Sequence, residues 1–473
     1  MKFAPLLQLF VFAFWSSNAG SIAADSEAAR SGESGPILTV EIDQSAKGFP
    51  TPFAFQGLSY ETSLLSTNFL TTGNTVLIQL IKNLGGGVLR IGGNMSDEVA
   101  WTGAARTAET PDKSITTTDV DNLAAFSRSI GWPVLFGLNL GAYHPELAAN
   151  EAEYVSNILK TDLLALQFGN EPDGYHSWNP KRSKTYGYAE YRSEWEKYFG
   201  AVRNRLPNVP LAGPDVAYRS EWVKAFAADL GKNVILLDGH YYQNGPASNP
   251  AINIDSLFTP IPQYANYFKV INDASVSANV PWRISECNSI NGGGKAGVSD
   301  TFASALWALD FMWTVAVNHG QGVNFHGGKG GAYSPFAIAG KTVMARPEYY
   351  AMLAFKAGSE GRAIFVPQVA PSKYQYSAYA ASGAGSTAIT VINKERTQDL
   401  TLKFNLTKDA STYRVARLSA PSMDAAKGVT FANSTVNADG TFVPGKLEGT
   451  PLDGAKTFTI KVPAASAAVV TVE

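Results

Sequence analysis

The sequence predicts an α/β protein, a (β/α)8 barrel of the TIM type with an appended all-β sandwich domain that includes an N-terminal strand. First, eight apolar, strand-like runs alternate with segments of helical pattern over about 290 residues. Second, the segments after Pro347 are short, alternating and rich in β-branched residues. Third, "ILTVEID" (37–43) precedes the barrel runs and alternates as a strand does, so we expect it in the sandwich.

Eight runs make up the predicted barrel sheet. They are "FAFQGLSYE" (53–61), "GGVLRIGG" (86–93), "PVLFGLNL" (133–140), "LLALQFGNE" (163–171), "PLAGPD" (210–215), "NVILLDGHYY" (233–242), "PWRISECN" (281–288) and "GVNFHGG" (322–328). Helical segments such as "DVDNLAAFSRSIG" lie between them. A dinucleotide-binding open sheet is disfavoured, because "GGG" at 85–87 precedes a strand instead of following one.

The chain divides into four predicted parts. Residues 1–24 combine a lysine, an apolar run and small residues, as a secretory signal peptide does, so we expect a secreted or periplasmic protein; an uncleaved anchor is the alternative. Residues 25–52 form a leader and the N-terminal strand, residues 53–345 the catalytic barrel, and residues 346–473 the β-sandwich domain. No later run is apolar over a length that spans a bilayer.

Composition narrows the classes of partner and cofactor. A formal net charge of -2 disfavours binding to nucleic acid. Cys287 is the one cysteine, so we expect no internal disulfide, and it should pack in the core. The five histidines show no metal-ligand spacing, and we expect neither a metal nor another cofactor. The oligomeric state is not predicted, nor is glycosylation at the sequons of Asn405 and Asn433.

The carboxyl ends of the barrel strands carry polar groups, and these ends are where barrel enzymes mount their chemistry. The ends hold Glu61, Arg90, Asn139, Asn170, Glu171, Asp215, His240, Tyr241, Tyr242, Glu286 and His326. Glu171 and Glu286 lie three strands apart, hence across the mouth of the barrel, and paired carboxylates facing a cleft are what glycoside hydrolysis needs. The alternative is that each is a strand-end residue paired with Arg90 or a lysine.

Four motifs carry a family resemblance: "NEP" (170–172), "GHYYQNG" (239–245), "SECNSINGGGKAGVSDTFASALWALDF" (285–311) and "GGKGGAYSPF" (327–336). In this order, from about residue 53 to 345, they resemble glycoside hydrolase family 79, the β-glucuronidases and heparanases of the retaining barrel clan. The resemblance implies that Glu171 is the general acid/base and Glu286 the nucleophile, ~5 Å apart. Glu171 must then hold a proton while Glu286 stays ionised.

The resemblance also implies the groups that bind the sugar. Asn170 would bind the 2-hydroxyl, and Tyr241, or Tyr242 if a bulge shifts the strand, would donate a hydrogen bond to Glu286. Backbone N–H groups of Gly292 and Gly293, together with Tyr333, would hold the C6 carboxylate. Glu61 and His326 would contact hydroxyls, although a structural role for His326 is the alternative. Arg90 would place positive charge beneath the nucleophile, or form a structural ion pair.

The predicted function is that of a retaining, exo-type β-glucuronidase that removes terminal β-linked glucuronic acid from glycans or glycosides. One departure from the family keeps a second hypothesis open: Asn291 stands where relatives often have tyrosine, so a neutral or 4-O-methylated sugar is the alternative substrate, with Lys329 as a compensating charge. A non-catalytic carbohydrate-binding protein is the third. The aromatic residues Trp101, Tyr143, Tyr175 and Trp178 are candidates for stacking on sugar rings.

Overall fold

The structure is a computed structural model that describes residues 36–473 except 265, 340, 341 and 384. The predicted signal peptide and the leader up to residue 35 therefore lie outside the described residues. Among the helices that the structure describes, none combines the length and apolarity needed to cross a membrane.

The described chain contains 22 strands and eight α-helices, joined by short 3-10 turns. The strands are β1 (Ile37–Ile42), β2 (Phe49–Pro50), β3 (Gln56–Glu61), β4 (Gly87–Gly92), β5 (Ala100–Trp101), β6 (Ser114–Ile115), β7 (Val134–Leu138), β8 (Leu163–Phe168), β9 (Ala212–Val216), β10 (Leu236–Asn244), β11 (Trp282–Ile290), β12 (Val323–Gly328), β13 (Phe336–Ala339), β14 (Thr342–Ala345), β15 (Ala363–Phe365), β16 (Gln368–Val369), β17 (Tyr376–Gly383), β18 (Ser386–Asn393), β19 (Leu400–Ser419), β20 (Thr430–Phe431), β21 (Glu448–Val462) and β22 (Ser466–Val472). The helices are α1 (Thr75–Asn83), α2 (Thr117–Ile130), α3 (Pro145–Leu159), α4 (Tyr188–Arg205), α5 (Ser220–Leu230), α6 (Tyr267–Ala278), α7 (Phe302–Val317) and α8 (Pro347–Ser359).

Eight parallel strands form the barrel, and each of them falls within or close to one of the eight predicted runs. They neighbour one another in the order β8, β7, β4, β3, β12, β11, β10 and β9. A parallel bridge between Leu166 and Leu211 brings the two ends of this order together, so the sheet closes. The (β/α)8 fold predicted from the alternating runs is confirmed.

The helices cover the barrel because each presents an apolar face to the strands. Helix α2 begins with a capping box, in which Thr116 and Asp119 satisfy each other's backbone N–H groups. Helix α7 is buried over most of its length, as its nearly all-apolar sequence predicts. The lower end of the barrel interior is filled by a small apolar cluster: Val88, Leu135, Ala165, Ala212 and Leu236. Polar side chains therefore meet above a packed floor.

The β domain is organised around the long strand β19. Residues 401–406 of β19 pair with β1 in parallel, whereas residues 413–418 pair with β22, and irregular register separates the two halves. The two halves thus belong to two layers with an apolar core between them. The predicted N-terminal strand in the sandwich is confirmed.

Helices of the barrel pack on the outer face of this domain. Trp313 of α7 stacks on Tyr379 of β17, with ring centroids 5.4 Å apart and an interplanar angle of 7°. Trp313 also contacts Phe355 of α8 edge to face. The α/β barrel and the all-β domain therefore pack against each other. The domain boundary between residues 345 and 346 stays a prediction.

Candidate active site

Glu171 stands three residues beyond the end of β8, in an uncommon backbone conformation. Its φ of 49° lies in the left-handed region, which costs energy for a residue with a Cβ. Its N–H donates to the carbonyl of Asp215 at 2.9 Å, and its own carbonyl accepts from Gly174 N–H at 2.8 Å. These two bonds hold the peptide and point the carboxyl group into the cleft, where the side chain is partly exposed.

Glu286 lies within β11 on the opposite wall, and its side chain is almost fully buried. One carboxylate oxygen of Glu171, one of Glu286 and a ring nitrogen of His240 all lie within 4.8 Å of one another. This separation is close to the ~5 Å that separates the two carboxyl groups of retaining glycosidases, and shorter than the ~6.5 Å or more of inverting ones. The structure thus brings the two predicted catalytic carboxylates together.

The surroundings of Glu286 stabilise its ionised form. Arg90 Nη1 donates to Oε2 at 2.5 Å and Tyr242 Oη donates to Oε1 at 2.7 Å, while His326 Nδ1 lies 3.6 Å from Oε2. Burial by itself raises the pKa of Glu286, but electrostatic interactions with His326, His240 and Arg90 outweigh it and hold the pKa well below its usual range. A carboxylate that stays charged at this position can act as a nucleophile.

The predicted role of Tyr241 is wrong, and the alternative, Tyr242, makes the hydrogen bond to Glu286. The register of β10 against β11 shifts between Gly239 and His240. His240 and Tyr242, two residues apart, then share the inner face of the strand. Tyr241 faces outward, where its hydroxyl donates to Gln243 and its ring packs 4.7 Å from that of Phe311.

His240 connects the two sides of the site. Its Nδ1 lies 3.0 Å from Glu171 Oε1 and its Nε2 lies 2.9 Å from Asp215 Oδ1, and the ring is fully buried. Burial by itself lowers the pKa of His240, but the charges of Asp215 and Glu286 and the hydrogen bonds to Asp215 and Glu171 raise it to about 10. The sequence placed His240 at the rim without a role, since this bridge depends on which loops approach it.

Arg90 anchors a buried polar network beneath both carboxylates. Besides Glu286, its guanidinium donates to Asp215 Oδ2 at 2.7 Å and to Asn170 Oδ1 at 2.8 Å. Further bonds reach Ser59 and Gln167. The position of Arg90 fits both hypotheses for its role. It forms buried ion pairs with Asp215 and Glu286, and it places positive charge beneath Glu286.

The side-chain amide of Asn170 is held in one orientation. Because Oδ1 accepts from Arg90, Nδ2 is turned the other way, toward Asn94 Oδ1 at 3.2 Å. The backbone N–H of Asn170 donates to Asp97, a buried carboxylate that also accepts from the hydroxyl of Tyr175. Burial raises the pKa of Asp97 to about 6. The sequence did not indicate Asp97 as a site residue, because Asp97 lies in a 3-10 turn beyond the end of β4.

Glu61 and His326 lie side by side, 3.7 Å apart between Oε1 and Nε2, and both line the cleft. Glu61 Oε2 accepts from the N–H of Met95, and Gly93 leaves room for this carboxyl group, because a Cβ there would overlap it. His326 Nδ1 shares a hydrogen bond with Ser59 Oγ at 2.9 Å. Both side chains predicted to bind the sugar therefore line the cleft, and hydrogen bonds with Met95 and Ser59 hold them in position.

The residues predicted to hold the C6 carboxylate lie where two glycine-rich loops meet. Gly292 and Gly293 have φ values of 77° and 94°, and within the described residues neither N–H group has a hydrogen-bond partner. The carbonyl of Gly293 accepts from Tyr333 N–H at 3.5 Å. The ring of Tyr333 is buried 6.1 Å from that of Tyr242. Two residues with unpaired N–H groups and a tyrosine thus line the cleft close to one another.

The cleft that contains these groups has a volume of about 1040 Å³. Its lining also includes Asn94, Trp178, Tyr218, Asn244, Pro246, Ile261, Tyr264, Asn291 and Lys329. Asn291 lies directly over Gly245, where a Cβ would overlap its amide. In the described part of the chain, Glu171, His240 and Glu286 are also close enough to hold a metal ion, although both ring nitrogens of His240 already face carboxylates.

Comparisons with known proteins identify relatives of this chain. Residues 375–469 match the glycosyl hydrolase family 79 C-terminal beta domain. Over 336 residues the chain is 24% identical to a beta-glucuronidase of Aspergillus niger, which covers 62% of this chain and 61% of that protein. It is 27% identical over 204 residues to heparanase of Mus musculus, which covers 40% of this chain and 37% of that protein.

A solved structure resembles nearly the whole chain. A 4-O-alpha-L-rhamnosyl-beta-D-glucuronidase from Fusarium oxysporum aligns with a TM-score of 0.74 at 20% identity, covering 92% of this chain and 100% of that one. The chain spans about three fifths or less of the length of the two curated relatives above. These likenesses confirm the fold of a barrel glycoside hydrolase.

Proposed function

We propose that the protein is a retaining, exo-type β-glucuronidase that hydrolyses terminal β-linked glucuronic acid from glycans or glycosides. The premise is the resemblance to glycoside hydrolase family 79, which was predicted from four motifs and is confirmed by the match of the C-terminal domain and by the relatives. The observation that carries the proposal is the pair Glu171 and Glu286, with oxygens within 4.8 Å of each other. The proposal includes export, which the N-terminal pattern predicts.

In the first half of the reaction, Glu171 donates its proton to the glycosidic oxygen while a carboxylate oxygen of Glu286 attacks the anomeric carbon. The bond to the leaving group breaks with its electron pair on that oxygen, which leaves as a neutral alcohol. In the second half, Glu171 takes a proton from water and the resulting hydroxide displaces Glu286. The two inversions give net retention, and Glu171 and Glu286 return to their starting states.

The charges around the pair suit a nucleophilic role for Glu286. Arg90 and His240 supply positive charge that offsets the negative charges of Asp215 and Glu286. His240 approaches Glu171 from the buried side at 3.0 Å, which leaves the other carboxyl oxygen of Glu171 to face the leaving group. Preorganised charge of this kind stabilises a transition state without rearrangement at the moment of reaction.

A uronic acid is the sugar that suits the end of the cleft. The unpaired N–H groups of Gly292 and Gly293 and the hydroxyl of Tyr333 are donors, as a C6 carboxylate requires. Lys329 lines the same end and adds positive charge. The contact between Gly293 and Tyr333 supports exo action. The two loops that meet there close this end of the cleft, so that a longer sugar chain cannot extend past it.

The second candidate is the same reaction on a neutral or 4-O-substituted sugar. Asn291 favours this candidate, because its side chain lies over Gly245 and is shorter than the tyrosine that relatives often have at this position. Its amide therefore reaches less far as a hydrogen-bond donor to a carboxylate. The Fusarium protein is described as acting on a rhamnosyl-glucuronic acid unit, a 4-O-substituted uronide. The third candidate, a non-catalytic binding protein, is disfavoured because both carboxylates are present at a catalytic spacing.

The test compares hydrolysis of an aryl β-D-glucuronide with that of the corresponding glucoside by the purified protein. We expect a strong preference for the glucuronide, initial release of the β-anomer by ¹H NMR, and loss of activity in Glu286→Gln. Glu153→Gln, at an exposed glutamate of α3, is the matched control and should keep wild-type rates. Equal rates on both substrates would support the neutral-sugar candidate, release of the α-anomer would overturn retention, and no hydrolysis would overturn the proposed activity.

A further inference from the structure

The cleft continues past Glu171 to two aromatic rings that the hydrolysis of the sugar itself does not require. We infer that Trp178 and Tyr218 form a leaving-group subsite that takes the apolar face of a neutral pyranose. We call this pair the aromatic platform. The inference rests on the proposed function and adds to it the class of group on the far side of the scissile bond.

The two rings face the cleft and remain exposed. Trp178 and Tyr218 are 45% and 37% exposed, unlike most aromatic side chains of the barrel, and both line the same cleft as Glu171 and Glu286. Their centroids lie 5.3 Å apart with an interplanar angle of 30°. Two adjacent exposed rings of this kind, tilted toward each other, offer an apolar surface on which a sugar ring can stack.

The platform is fixed to the loop of the general acid. The indole of Trp178 lies against Gly174, where a Cβ would overlap the ring. Asp173, fully buried, accepts from the N–H of Ala217 at 2.9 Å and so joins the loop of Trp178 to the residue before Tyr218. Because Glu171 protonates the leaving oxygen, a surface on its own loop lies where the leaving group must pass.

The charge of the cleft favours a neutral leaving group. Among the described residues that line the cleft, Lys329 is the one lysine or arginine, and it belongs to the loop that carries Tyr333 at the carboxylate end. Near the platform, the guanidinium of Arg219 lies 6.0 Å from the ring of Tyr218, but it also lies 4.0 Å from Glu221 and does not line the cleft. A sulfated or acidic leaving group would therefore meet no lysine or arginine among the described residues that line the cleft beside the platform.

The other aromatic residues singled out from the sequence do not compete for this role. Trp101 and Tyr175 are buried, and the hydroxyl of Tyr175 is used by Asp97. Tyr143 packs against Tyr198 and Arg182, away from the cleft lining. Trp178 alone among the four lines the cleft, which is the reason to assign the platform a ligand instead of a packing role.

The experiment compares two substrates that share the glucuronic acid: methyl β-D-glucuronide, whose leaving group has no ring, and a disaccharide of β-D-glucuronic acid linked to galactose. The measured quantity is the ratio of kcat/KM for the disaccharide to that for the methyl glycoside. We expect this ratio to fall roughly tenfold in Trp178→Ala and in Tyr218→Ala, because each removes apolar contact area and dispersion contacts with the galactose ring. Trp178→Phe should restore most of it.

Phe53→Ala removes an exposed ring far from the cleft and serves as the matched control, with an unchanged ratio. An unchanged ratio in both platform variants, or a wild-type preference for a sulfated galactose as leaving group, would overturn the inference. Binding of a thio-linked analogue of the disaccharide to the wild type and to Trp178→Ala is measured without turnover. Affinity that is absent or equal in the two overturns the subsite even if no glucuronide is hydrolysed, an outcome that would separately refute the proposed function.

Discussion

Replacing His240 with glutamine should destabilise the folded protein, and the size of the effect should depend on pH. In the folded protein the pKa of His240 is raised to about 10, whereas an unfolded histidine titrates near ~6.5. The imidazolium contributes stability that is fully present below pH ~6.5 and is lost as the pH rises through 10. The variant lacks this contribution at every pH.

The magnitude follows from burial and from the two ion pairs. His240 is fully buried with carboxylates at 2.9 and 3.0 Å, and breaking a buried pair by removing one partner costs about 3–5 kcal/mol. Between pH ~6.5 and 10 the wild type holds one proton more than its unfolded chain through this group. The difference in unfolding free energy between wild type and His240→Gln should therefore shrink by about 1.4 kcal/mol for each pH unit.

Urea denaturation followed by tryptophan fluorescence, at intervals from pH 6 to 9.5, measures this difference. Subtraction at each pH removes titrations that both proteins share, such as that of Glu151 in α3, whose pKa burial raises to about 8. His144→Gln, at an exposed histidine, is the matched control and should give a constant difference near zero. A difference that stays constant for His240→Gln would refute the reasoning and would mean that His240 is neutral, with the shared proton on Glu171.

Three further outcomes follow from the site. Tyr242→Phe should move the acidic limb of the kcat/KM profile upward by about one to two pH units, since a hydrogen bond to a buried charge is worth about 1.5–3 kcal/mol. Tyr241→Phe should leave the limb in place. Glu171→Ala should slow substrates with poor leaving groups by roughly 10²–10⁴-fold and activated aryl glucuronides much less, and added azide should restore turnover as the β-glucuronyl azide if the residue is the general acid. Asn291→Tyr should raise the ratio of kcat/KM for the glucuronide to that for the glucoside roughly tenfold, because the tyrosine hydroxyl adds one hydrogen-bond donor to the C6 carboxylate. A lower ratio would show that the pocket does not use this position.

Much of the site could be predicted because strand ends are encoded locally. The apolar run that ends at Phe168 and the one that contains Glu286 mark their strands by composition alone, and the order of strands around a barrel follows from the order along the chain. That is sufficient to place the two carboxylates on facing walls. Composition and turn residues likewise marked the β domain and the strand that pairs with β19 from the other end of the chain.

Only the tertiary structure decided which of several neighbouring side chains face the site. A register shift in β10 decided that Tyr242, and not Tyr241, faces Glu286, and such a shift depends on how two strands pair. The bridge from Glu171 through His240 to Asp215, the support of Asn170 by Asp97, and the aromatic platform all join loops that are distant in sequence. The sequence by itself determined the elements and the chemistry at their ends; long-range packing decided which side chains meet, because contacts between loops carry no local signal.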